Sequence, residues 1–113
     1  MTEITHYLTV DGYDPFQAWL DATKAKDRQA AMRVLTRLNR LAAGNLGDTK
    51  TVGDGVWELR ITYGPGYRVY YAKVGTRLVM LLIGGTKQRQ QSDIEQAKAF
   101  LADHKRRTRH EKS

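Results

Sequence analysis

The chain has 113 residues and no cysteine, so a disulfide framework and a thiolate metal site are both excluded, while the length suffices to bury one core. No stretch approaches the roughly 20 apolar residues that span a bilayer, and the opening MTEITHYLTV lacks a basic region followed by an apolar run. A soluble cytoplasmic protein with no membrane association is expected. The net charge of +7 is unevenly placed: residues 1–54 carry seven basic and seven acidic side chains, residues 55–113 twelve basic and five acidic. An excess confined to the second half points to a polyanion such as nucleic acid, or to an acidic protein partner.

In chain order, Ile4 to Val10 reads as a first strand closed by the turn dipeptide Asp11-Gly12. Asp14-Pro15 supplies an N-cap and a proline at the first helical position, and Phe16, Trp19 and Leu20 give the short helix that follows one apolar face. Asp27 to Ala43 is the clearest helix, with Ala31, Val34, Leu35, Leu38, Leu41 and Ala42 at helical spacing. Arg33, Arg37 and Arg40 recur on another of its faces as a basic stripe able to track a nucleic-acid backbone. Gly44-Asn45 ends the helix, and GNLGDTKTVGDG, rich in Gly and Asp, reads as an exposed loop.

From Val56 to Lys87 the pattern changes to three consecutive strands. Trp57, Leu59, Ile61 and Tyr63 point one way and Glu58, Arg60 and Thr62 the other. A Gly64-Pro65-Gly66 loop would pair Tyr63 with Tyr67, Ile61 with Val69 and Arg60 with Tyr70, gathering Glu58, Arg60, Arg68 and Tyr70 on one polar face. Lys87 joins that face just past the nearly continuous apolar strand Arg77 to Ile83, which Gly84-Gly85 should end. Ser92-Asp93 starts a last helix with Ile94, Ala97, Phe100 and Leu101 as its apolar stripe. HKRRTRHEKS lacks apolar periodicity and reads as a frayed basic tail, so the domain is placed at residues 1–104 and the tail at 105–113. The expected class is α+β in the order β-α-α-β-β-β-α.

The polar face is the chemical candidate, because arginines on rigid strands can engage two oxygens of a phosphodiester at once. Tyr70, left beside the arginines, could stack on a base or bond a phosphate oxygen. His6, His104 and His110 show no metal-ligand spacing, and only His104 merits testing as a proton donor or acceptor. The Gly-Thr-Lys of IGGTKQ lacks the glycine spacing of a phosphate loop. No metal or cofactor is expected.

GVWELR, GPGYRVYY, LLIGGTK and the upstream RLNRLAAGNLGDTK together resemble the RelE/ParE superfamily of type II toxin–antitoxin toxins, in its phage-derived Gp49-like or HigB-like addiction module killer branch. The resemblance covers nearly all the chain to His104. It implies a RelE-like fold, with two N-terminal helices packed on a small, curved, mainly antiparallel sheet. It also implies a ribosome-dependent mRNA endoribonuclease, or alternatively a ParE-like toxin that inhibits DNA gyrase without cutting nucleic acid; a third reading is a degenerate member that only binds its antitoxin. By this resemblance Arg68 matches the arginine that stabilises the phosphorane, with Arg60 and Lys87 holding adjacent phosphates. Two positions depart from the RelE pattern: Glu58 replaces a lysine, and the C-terminal tyrosine has no counterpart. Glu58 is then a candidate base if burial raises its pKa, whereas a Glu58–Arg60 ion pair would act the other way. The implied partners are a cognate HigA-like helix-turn-helix antitoxin, the ribosome and mRNA, with DNA contacted only through the antitoxin complex.

Overall fold

The computed structural model describes residues 2–112, with side chains over residues 2–109. Strand β1 (Glu3–His6) leads into helices α1 (Pro15–Lys26) and α2 (Arg28–Ala42). Strands β2 (Thr49–Gly53), β3 (Val56–Ile61), β4 (Tyr67–Val74) and β5 (Leu78–Thr86) follow, then a 3-10 turn at Lys87–Arg89 and helix α3 (Gln90–Lys112). The five strands form one sheet in the order β1-β5-β4-β3-β2, antiparallel except where β1 runs parallel to β5. The class is α+β, as expected, with a mixed five-stranded sheet in place of four strands.

The capping residues act where the sequence places them. Asp14 accepts from the Gln17 backbone N–H at 2.9 Å and Pro15 opens α1. Asp27 ends α1 and caps α2, accepting from the Ala30 N–H at 3.2 Å, so two helices turn on a single residue. His6 Nδ1 lies 2.7 Å from Asp14 and ties the end of β1 to that first cap.

One sheet face is covered by α1 and α2, where Phe16, Leu20, Val34, Leu38 and Leu41 pack on Leu59, Val69, Tyr71 and Leu81. Leu35, expected in that stripe, is 40% exposed because its position on α2 falls outside the buried arc. The opposite face is covered by α3, whose Ala97 and Leu101 pack with Tyr7, Val56, Tyr70, Met80 and Leu82. Cover on both sides explains the unbroken apolar run of β5. The two N-terminal helices pack on the sheet as the resemblance implies; the layer made by α3 on the opposite face was concealed by the alternation in β3, whose Glu58 lies buried beneath that helix.

Four further expectations change. The hairpin register slides by two residues, pairing Ile61 with Tyr67, Arg60 with Arg68 and Glu58 with Tyr70 around a Thr62–Gly66 loop. Gly66 donates its N–H to Tyr63 O, and the Lys87 N–H reaches Gly66 O, which draws the loop toward the end of β5 instead of letting the ladder close. A slide of two preserves parity, so every side chain keeps the face the sequence assigns it. The segment read as an open loop contains β2, whose residue Lys50 opposes Glu58 across a Gly53–Gly55 turn in which all three residues have positive φ.

The expected breaker Gly84-Gly85 lies inside β5. A Cβ at Gly84 would collide with the Trp19 ring, and one at Gly85 with the Asp93 carboxylate, so these glycines admit close contacts from the two opposing helical layers. Finally, α3 continues through the segment read as a frayed tail. Tyr7 donates to Asp103 at 2.6 Å, and Arg107 pairs with Asp103 at 2.8 Å while also donating to Leu8 O, which anchors that part of the helix without an apolar stripe.

Gly85→Ala is expected to destabilise the fold by roughly 1–3 kcal/mol through overpacking against Asp93, read as a lower urea midpoint with an unchanged m-value.

Candidate nucleic-acid interface

The site is built on a buried carboxylate. Glu58, central in β3, is completely buried. Arg60 Nε donates to its Oε1 at 3.1 Å. Its Oε2 accepts from the Tyr70 hydroxyl at 3.0 Å and the Gln90 amide at 2.8 Å, and Arg68 Nε stands 3.6 Å away at ion-pair distance. Burial pushes the Glu58 carboxyl up, but the hydrogen bonds from Arg60, Gln90 and Tyr70 and the Arg68 charge outweigh it and hold the group below its ordinary value. Glu58 is thus an ionised, fully engaged acceptor. Tyr70 is driven the other way, first by burial and then by the Glu58 charge, and stays a donor.

This arrangement revises two expectations. Glu58 satisfies the ion-pair alternative and not that of a base with a raised pKa. Tyr70, expected beside the arginines and open to a base, is 0% exposed because α3 covers it; its hydroxyl holds Glu58 and its ring meets core side chains.

The arginines separate by depth. Arg60, with its side chain 34% exposed, projects to the surface from the end of β3, while Arg68, directly opposite on β4, is 10% exposed and its Nε has no hydrogen-bond partner. The Arg68 guanidinium runs toward Gly66, which also lies beside the backbone end of exposed Lys87 in the 3-10 turn after β5.

The α2 stripe joins Arg60. Arg33, Arg37, Arg40 and Arg60 line a single open groove of about 610 Å³ between α2 and the end of β3, where Asp48 is the one carboxylate in the lining. The connection after α2 forms one wall. Arg37 donates to Leu46 O at 3.2 Å, and a Cβ on Gly47 would collide with its guanidinium. Arg33 lies over the ring of Tyr63, 4.8 Å from its centroid. The three guanidinium groups of α2 make an anion-binding surface that suits consecutive phosphates, while the Arg60 side chain at the border of the groove turns to Glu58 on the face that α3 covers.

Other candidates lie elsewhere. His6 is engaged with Asp14, and His104 lines a separate cleft between α3 and β4 with Lys73 and Lys105. The His110 side chain falls outside the described residues. Among the described residues no group of three or more His, Asp or Glu could hold a metal ion, and no helix is long and apolar enough to cross a membrane.

Sequence reasoning missed Gln90, Gly47 and Asp93. Gln90 stands in a polar run with nothing to distinguish it from a surface residue, and it meets Glu58 only because α3 folds back across the sheet. Asp93 is buried with Oδ2 unpartnered, and burial, partly offset by Arg89, raises its pKa. Glycine at position 47 was a visible signal of a turn, not of contact with an arginine.

The fold and groove define a small α+β protein that presents a row of arginines on α2 and, on the neighbouring strands, two arginines paired with a buried acid. Residues 18–106 match the family described as phage derived protein Gp49-like (DUF891), and the chain belongs to that family, one of addiction-module toxin character. It is also 48% identical over 88 residues to an uncharacterized protein of Haemophilus influenzae, covering 78% of this chain and 87% of that protein.

Because the folded Glu58 pKa lies below the unfolded value, its contribution to stability is complete above about pH 4.5 and is lost as pH falls through the folded value. Chemical denaturation across that acid range should show a fall in stability that is shallower in Glu58→Gln. Removing the acid altogether in Glu58→Ala leaves two arginines without their buried partner and should cost about 3–5 kcal/mol at neutral pH in the same measurement.

Proposed function

We propose that this chain is the toxin of a type II toxin–antitoxin pair and acts as a ribosome-dependent mRNA endoribonuclease of RelE/HigB type. The observation that carries the reading is the groove lined by Arg33, Arg37 and Arg40 of α2 with Arg60 at its border, since a row of cations with one carboxylate in the lining favours a chain of phosphates. Membership of the Gp49-like family supports the toxin reading.

In this reaction the RNA 2′-hydroxyl gives up its proton to solvent as its oxygen attacks the adjacent phosphorus, and the bond to the 5′-oxygen breaks as that oxygen takes up a proton from solvent, leaving a cyclic phosphate and a 5′-hydroxyl. Negative charge accumulates on the phosphorane, and guanidinium groups held in place beforehand lower its energy without reorganising. Arg60 supplies that charge at the groove, and Arg68 and Lys87 supply it beside Gly66. Glu58 is a positioning residue here. By taking the Nε–H of Arg60 it leaves the terminal nitrogens of that guanidinium for phosphate, and its ionised state keeps both arginines in register. Neutralisation falls to a cognate antitoxin, an acidic complement to the basic groove.

Primer extension on a defined mRNA in a reconstituted translation mixture tests the reading. Cuts that require ribosomes, and that fall by roughly a hundred- to thousandfold in Arg60→Ala or Arg68→Ala, are expected from the loss of one transition-state donor. Circular dichroism must show each variant folded, above all Arg68→Ala, which removes a partner of buried Glu58. A folded wild-type protein that arrests growth through DNA damage and makes no cuts would move the assignment to ParE-like inhibition of gyrase.

A further inference from the structure

The arginine groove contains more than charge. Its lining includes the apolar side chains of Met32 and Ile61, and at one end Arg33 lies over the Tyr63 ring at 4.8 Å. Tyr63 is itself stacked on Tyr67, with centroids 6.4 Å apart and planes at 28°, and Tyr67 contacts Trp19 of α1. A chain of aromatic rings rooted in the core therefore backs a single exposed guanidinium. A surface arginine ordinarily spreads over many rotamers; cation–π contact with a ring held in this way restricts it. The Tyr63 ring backs Arg33, which is otherwise exposed.

A row of arginines by itself accepts any polyphosphate, single-stranded or double-stranded. A planar guanidinium adds a requirement, because a nucleobase can stack on it only when that base is free of its own neighbours. We propose that the α2–β3 groove selects single-stranded RNA, with one unstacked base resting on Arg33, and with Arg37 and Arg40 holding the phosphates beside it. Tyr63 is then a positioning residue acting through Arg33. The inference rests on the reading of the groove as an RNA site, and it adds which strand state is bound and which residue reads it.

Fluorescence anisotropy without ribosomes separates the two claims. The probe is a short, unstructured, end-labelled oligoribonucleotide, free or annealed to its complement. The wild-type protein should bind the free strand more tightly than the duplex. Arg33→Lys keeps the charge and removes the plane, so it should weaken single-strand binding by roughly 5- to 100-fold, the scale of one base–side-chain stack, and leave duplex binding nearly unchanged. Its slope of log affinity against log salt should match the wild type, whereas Arg40→Ala should flatten that slope because a phosphate contact is lost. Tyr63→Phe should retain single-strand preference, since the ring and not the hydroxyl carries the contact.

Equal affinity for both strand states, wild-type single-strand binding by Arg33→Lys, or no binding of the free strand by the folded wild-type protein would each overturn the proposal. Ribosome-dependent cutting is read separately. Strand-selective binding without any cutting would sink the nuclease assignment and leave this one standing; cutting with no strand selectivity would do the reverse.

Discussion

The burial of the Glu58 carboxylate constrains the rest of the molecule. A charge with no exposed surface is tolerated only where its partners are complete, and here they come from three elements: Arg60 on its own strand, Arg68 and Tyr70 on β4, and Gln90 at the start of α3. The network therefore requires the β3–β4 register and the return of α3 across the sheet. Sliding β4 by one residue would turn Arg68 and Tyr70 to the opposite face and strand the acid. Such an ion cluster adds little net stability over an apolar core, and its role is better understood as orientation of Arg60 at the lip of the groove.

The two halves of the groove come from distant parts of the chain. Arg33, Arg37 and Arg40 lie one turn apart on α2, and Arg60 lies at the end of β3. Between them the chain makes β2, which pairs with β3 and brings the connection after α2 down beside Arg60, whose N–H donates to Asp48 O at 2.9 Å. The edge strand is thus what sets a basic helix against a basic strand. Gly47 then lets the connection pass beneath the Arg37 guanidinium, where any larger residue would push it away. The two glycines of β5 act similarly on the layers, letting Trp19 approach from one side and Asp93 from the other.

Much of this was legible beforehand, for reasons that are local. Asp14-Pro15 and the α2 periodicity mark helices because capping and amphipathic spacing act within a few residues. Face assignments in β3 and β4 survived a register error, since parity alone decides which side chains share a face. The strand β2 was obscured by flanking Gly and Asp, although Asp54-Gly55 between TKTV and VWEL was a hairpin signal. The C-terminal extension of α3 had no local signal, because its anchors, Asp103 and Arg107, find Tyr7 and Leu8 almost a hundred residues away.

What the amino-acid order alone established was the inventory: an α+β class, a basic second half, an arginine stripe on α2, and a strand face carrying Glu58, Arg60, Arg68 and Tyr70. These follow from spacing, which is a property of neighbours. Depth belonged to the tertiary structure. Only the packing of α3 over that face made Tyr70 a buried donor and Glu58 an ionised anchor, left Arg68 nearly covered, and kept Arg60 partly exposed at the end of β3. Residues sharing one face by periodicity receive different dielectric surroundings and partners once a helix covers part of it, and those surroundings set both charge state and access.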